Sequence, residues 1–348
     1  MILNNFIVTY LVCAAMSLFT GIIASVNGLY IWKRWNPDNQ AEDQYVLEKR
    51  VYLVITVCSL GFILRLLMFP LWFRTLHSMI ISIPGAMCLV GVHNINPPLA
   101  YAASGFKLVM PALYGYWLIL NFMDRKIPEQ PFMKHKLLLL TFLGCLATVE
   151  TILDISFFFS APPRQVSCCT SLFDVPRDDI LQVVTESSMV WVFLFFALSV
   201  FIIGEMVFFL IAQRKSLRSK PGKWLPGKWF GNKRLNSKPA MVFQTLIIIS
   251  LFGIFILSLQ TTISPLFLGL PFHHCIFCLC QEVWDATLSL FMIFTGLSLF
   301  LIYFWITSSA NYREVNQILN ASMQKLLKWS LVMFAGGLII LAVHLTAV

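Results

Sequence analysis

Eight stretches of this sequence, each longer than twenty residues and mostly apolar, leave the chain little choice of solvent. They run approximately over 6–32, 51–73, 99–123, 137–160, 183–212, 241–264, 284–306 and 326–348. A helix needs about 20 apolar residues to cross the hydrocarbon core. In lipid every backbone polar group must also be satisfied internally, which admits only helices or closed barrels. The runs are continuous and lack the alternation of a barrel strand. The sequence therefore predicts an all-α, polytopic transmembrane bundle of about eight spans. Of 348 residues 58% are hydrophobic and 12% charged, with a mean hydropathy of +0.79, whereas a soluble domain carries about 25% charged residues. The connections are short, so residues 1–348 read as a single integral membrane domain.

Lys and Arg set the orientation. The connections 33–50, 124–136, 213–240 and 307–325, with Lys328 just beyond, hold 20 of the 25 basic residues; the connections 74–98, 161–182 and 265–283 hold three. The first group is expected on the cytoplasmic side, the second outside, and both termini outside, in a plasma (inner) membrane. The first run lacks a basic n-region, exceeds the length of a signal-peptide core and is followed by Lys33-Arg34, so it reads as a retained span. The net charge of +9 is a topology signal spread over four loops and gives no reason to expect nucleic acid. The lipid bilayer is the expected partner, with an extracytoplasmic metal or thiol carrier protein, or the other subunits of a membrane complex, as further candidates.

Within the first outer connection, residues 79–92 form a 14-residue, largely apolar run broken by Pro84-Gly85. That length suits a re-entrant segment or a helix on the outer surface. Inside, a repeated Pro-Gly-Lys-Trp at 221–224 and 226–229 reads as an interfacial anchor. The helical spacing of Val315, Ile318, Leu319 and Met323 predicts a short helix on the inner surface.

Chemistry is suggested by where sulfur and imidazole fall. The outer connections, roughly 65 residues, hold Cys88, Cys168, Cys169, Cys275, Cys278 and Cys280 together with His77, His93, His273 and His274. Three readings fit. Thiolate and imidazole suit a soft or borderline ion, copper or zinc. His273, His274, Cys275, Cys278 and Cys280 are then the nearest ligand set, with Cys168, Cys169, Cys88 and His93 completing it. A single C-x-x-C without a second pair is no zinc-finger pattern. Second, Cys275 and Cys278 could cycle between dithiol and disulfide, as in a membrane oxidoreductase coupled to a quinone or a partner thiol. Third, six cysteines in a compartment that permits disulfides could simply staple the outer loops of a transporter or complex subunit. No span pairs histidines and no C-x-x-C-H occurs, so haem is not signalled.

Four ionisable residues fall within spans, where they are costly and usually paired or functional. Arg65 and Lys107 are expected to pair with Glu150 and Asp154, which share a helix face at i, i+4. Such a network is either structural or part of a proton or ion path. Glu205 lies near an inner span end, within snorkelling reach of the surface.

Overall fold

A computed structural model describes residues 4–36, 42–127, 130–160, 166, 188–218, 238–270, 273–309 and 316–347. Every regular element among them is helical: α1 (Asn5–Arg34), α2 (Glu42–Met79), α3 (Leu89–His93), α4 (Pro97–Asp124), α5 (Met133–Phe159), α6 (Ser188–Arg218), α7 (Lys238–Ser258), α8 (Ser264–Leu268), α9 (Ile276–Glu282), α10 (Trp284–Ser309) and α11 (Asn316–Ala347). Eight of them, α1, α2, α4, α5, α6, α7, α10 and α11, are long and apolar enough to cross a membrane. The chain separates into two compact units, Met1–Cys168 and Cys169–Val348.

In the first unit α1 packs most intimately on α5. Lipid offers no hydrophobic drive for helices to associate, so close contact depends on small residues that let backbones approach. The buried stripe of α1 is Ser17, Gly21, Ala24 and Gly28. A Cβ on Gly28 would stand 2.7 Å from Thr141 Oγ1, and one on Gly144 would stand 2.5 Å from Ser25 N. From α5, Leu137, Leu140 and Leu143 join Val51, Ile55, Phe62, Tyr114 and Trp117 from α2 and α4, with Ala24 and Ile31 of α1, in one apolar core. The helix ends follow local rules. Asn4 accepts a hydrogen bond from Phe6 N at 3.2 Å as the N-cap of α1, and Pro97 opens α4 where no N–H is needed.

Two helices outrun their apolar segments. α2 begins at Glu42, nine residues before the apolar run, because 42–50 are mostly good helix formers and Gln44 and Leu47 already bury on the bundle side. The expected inner-surface helix is not separate: residues from Asn316 onward belong to α11.

After α2 a 3₁₀ turn, Ile80–Ser82, leads to a bend at Gly85 and then to α3. Gly85 has φ +87°, and a Cβ there would meet Val166 O at 2.4 Å, while Val166 N donates to Pro84 O at 3.1 Å. Only glycine fits this position, since it needs both positive φ and close backbone approach.

In the second unit α10 and α11 meet through Gly296, whose Cβ would stand 2.6 Å from Phe334 N. Ser289 and Ser330 donate across that contact to Gly337 O at 2.9 Å and Gly296 O at 2.8 Å. α7 passes through a π-helical turn, Leu259–Ile263, into α8, which ends at left-handed Gly269. π turns inside helices are frequent at functional positions. A cavity of about 360 Å³ opens beside this one, lined by Thr261, Thr262, Pro265, Leu266 and Gly269.

Candidate functional sites

One cluster of four buried charges in the first unit closes on itself. Arg65, from α2, donates through Nη1 to Glu150 Oε2 at 2.8 Å; Lys107, from α4, reaches Glu150 Oε1 and Asp154 Oδ2, both at 2.6 Å. The i, i+4 spacing of the two acids on α5 presents both to Lys107. Arg65 spends its Nη2 on Ala147 O at 2.7 Å, Ser17 O at 3.1 Å and Thr151 Oγ1 at 2.6 Å. Two tyrosines complete the set. Tyr10, on α1, donates to Asp154 Oδ2 at 2.6 Å, and Tyr114 to Glu150 Oε2 at 2.7 Å. All four spans of the unit therefore contribute, and every charged member is less than a tenth exposed. Two cations against two anions leave no net charge to desolvate, which is the condition for holding ions in a low-dielectric interior.

The hydropathy reading named the four charges but not Tyr10, Tyr114 or Thr151. A phenol inside an apolar run is the signal that points to them, since a buried hydroxyl needs a partner. A second buried pair also went unnoticed. Lys136 Nζ donates to Asp124 Oδ2 at 2.6 Å, and Phe132 N to Asp124 Oδ1 at 3.1 Å. Asp124 thus clamps the α4–α5 turn, and Lys136 is structural as well as part of the basic loop count. In the second unit Glu205 is held by Gln244 Nε2 at 2.8 Å. Asp285, at the start of α10, pairs with His344 near the end of α11, with the Phe267 ring 4.0 Å from the imidazole.

The cysteines and histidines divide by local geometry. Cys168 and Cys169 lie outside the described residues. No disulfide joins any of the seven described cysteines. Cys88 is the buried N-cap residue of α3, and His93 its last residue. Both nitrogens of His93 are engaged, Nδ1 with Leu89 O and Nε2 with Ser104 Oγ, each at 2.7 Å. A metal at His93 would have to displace one of these bonds. Burial also holds its pKa below the ordinary histidine value, although the bond to Leu89 O works the other way.

Because the folded-state value is the lower one, His93 favours the folded state above the unfolded pKa and loses that contribution as pH falls below about 6.5. The protection factors of the α3 amides, with the intrinsic pH dependence of exchange divided out, are therefore expected to fall between pH 7.5 and 5.5, and much less in a His93→Gln variant. Equal loss of protection in both would remove His93 as the cause.

The C-x-x-C segment forms the opening of α9. Cys275 is the N-cap residue and Cys278 lies at the third helical position. Those two positions face each other across a helix start, the same relation that a capping box exploits. Their Sγ atoms stand within 4.8 Å of one another without being bonded. Cys275 is fully buried and Cys278 half-buried. Neither His273 nor His274, nor Cys280, has a ligand atom within that distance of both sulfurs. Burial pushes the Cys280 thiol up from its ordinary value, with a hydrogen bond to Thr287 working the other way. His274 donates Nδ1–H to Gln260 O, inside the π turn, at 3.0 Å. That bond orients the imidazole and leaves Nε2 as its acceptor nitrogen, the way protein metal sites commonly prepare a ligating histidine.

Fold and sites together define a multi-pass, membrane-type helical protein with a buried charge network in one unit and a paired-cysteine turn in the other. Comparison with protein-family models, with curated proteins and with solved structures finds no match to this chain.

Proposed function

We propose that this protein is an integral membrane protein that binds and hands on a soft metal ion through Cys275 and Cys278, on the extracytoplasmic face. The observation that carries this reading is the approach of two unbonded sulfurs at the mouth of α9. Two metal–thiolate bonds of about 2.3 Å reach at most about 4.6 Å, so sulfurs within 4.8 Å need at most a small closure of the turn for one ion to hold both. Thiolate donors favour Cu(I) over hard cations, which makes copper the ion of choice and zinc the competitor. His274, already oriented by Gln260 O, is the candidate to add a nitrogen ligand.

The test is metal analysis of full-length protein purified without chelator, then reloaded anaerobically with Cu(I) or Zn(II). Wild type is expected to retain about one copper per chain, and Cys275→Ser/Cys278→Ser to lose at least tenfold in affinity with its helical content unchanged. Separate substitutions at Cys88, Cys168 and Cys169 test the wider ligand set read from the sequence. Equal metal content in wild type and the double variant would overturn the proposal. A Cys275–Cys278 disulfide found by alkylation and mass spectrometry, with no metal bound, would instead favour thiol–disulfide exchange.

A further inference from the structure

Among the described residues, every buried cation of the first unit has a carboxylate: Arg65 and Lys107 in the network, Lys136 on Asp124. Two exposed cations at the end of the bundle where α1 finishes and α2 starts are arranged differently. The guanidinium of Arg34 lies 4.4 Å from the centroid of the Tyr30 ring, and that of Arg50 lies 4.6 Å from the same centroid. Each is oriented by a neutral group. Arg34 donates to the Tyr30 hydroxyl, and Arg50 Nη2 donates to Asn27 Oδ1 at 2.7 Å. Asn27 is itself held by its amide on Ile23 O at 3.1 Å. Among the described residues no carboxylate reaches either guanidinium, although Glu42 and Glu48 lie nearby on α2. Two like charges have thus been gathered on one aromatic ring and positioned, with no described carboxylate to neutralise them.

We propose that Tyr30, Arg34, Arg50 and Asn27 form a binding site for the phosphate of an anionic lipid headgroup. Guanidinium forks match phosphate oxygens bidentately, and the Tyr30 ring holds both guanidiniums within 4.6 Å of its centroid without cancelling their charge. The depth fits as well. Trp32 and Trp35 belong to the same last turns of α1, and tryptophan collects at the headgroup level. Lys33 and Lys49 flank the arginines and add attraction to an anionic surface. The site ties the α1–α2 junction to the lipid leaflet on the side where the basic loops are expected.

The shared chemistry is phosphate, so lipid and free phosphate must be separated by experiment. Full-length protein is delipidated in a neutral detergent, titrated with phosphatidylglycerol or phosphatidylcholine, and its retained lipid counted by native mass spectrometry. Wild type is expected to keep phosphatidylglycerol preferentially, and Arg34→Gln/Arg50→Gln to weaken that retention about tenfold or more. Arg125→Gln/Lys126→Gln removes two other exposed cations of the same unit and is expected to change retention less than twofold. Arg34→Lys/Arg50→Lys keeps the charge, loses the forks and should fall between. Equal retention by wild type and the Arg34/Arg50 variant, or equal loss in the Arg125/Lys126 variant, overturns the site. Stabilisation of wild type by inorganic phosphate, with no lipid retained, would overturn the lipid as its occupant.

Discussion

Replacing Glu150 with alanine is expected to cost the first unit about 3–5 kcal/mol, the range seen when one partner of a buried ion pair is removed. Glu150 accepts from Arg65, Lys107 and Tyr114, so its loss strands one uncompensated positive charge and a buried phenol. Lys107 would retain Asp154, while Arg65 would retain only carbonyls and the Thr151 hydroxyl. Thermal or SDS unfolding in mixed micelles reads the effect directly. A companion variant decides the cause. Glu150→Ala/Arg65→Met removes one charge of each sign and leaves the neutral Lys107–Asp154 pair, so it should recover most of the loss. If the double variant is instead as unstable as the sum of the singles, packing and hydrogen bonding dominate and charge balance does not. A Glu150→Ala protein as stable as wild type would sink the account altogether.

Gly144→Val should be nearly as damaging, for a steric reason. A Cβ at this position would sit 2.5 Å from Ser25 N, 2.8 Å from Gly21 O and 2.9 Å from Ala24 Cβ. Two of those atoms are backbone, so no rotamer change relieves the clash, and α1 must back away from α5. Overpacking of this kind costs about 1–3 kcal/mol. Here the separation would also loosen Tyr10 on Asp154 and Ser17 O on Arg65, since both reach the network from α1. Gly105→Ala is the control. It lies on an exposed face of α4 with nothing within 4 Å, and helix propensity alone predicts a gain of up to about 1 kcal/mol. Unfolding midpoints that fell equally in both variants would show that the α1–α5 contact has no special importance.

The network was largely legible before any coordinates, because an ionised group inside an apolar run is expensive wherever it sits, and only an opposite charge at similar depth relieves it. Arg65, Lys107, Glu150 and Asp154 stand out on that ground alone. Tyr10 and Tyr114 do not, since a tyrosine is ordinary in a membrane helix until its hydroxyl is known to be buried. Lys136 shows the converse. In the sequence it is one more basic residue beside a span, and only the fold of the α4–α5 turn reveals that Asp124 holds it. For the cysteines the spacing 275–278 marked out one pair within a wider ligand set, because N-cap and third helical positions meet in any helix start. It could not separate that pair from Cys280 two residues on, whose burial depends on how α9 packs.

By itself, then, the sequence determined the class of solvent, the number of spans and the residues that cannot face lipid unaccompanied, because hydropathy and charge act on each residue separately and survive without neighbours. Tertiary structure alone decided which hydroxyl meets which carboxylate, where α2 and α11 begin, why Gly85 and Gly144 must stay glycine, and that two guanidiniums share one tyrosine ring. Those are properties of pairs of residues distant in the chain, and a distance between two side chains exists only once the helices have packed.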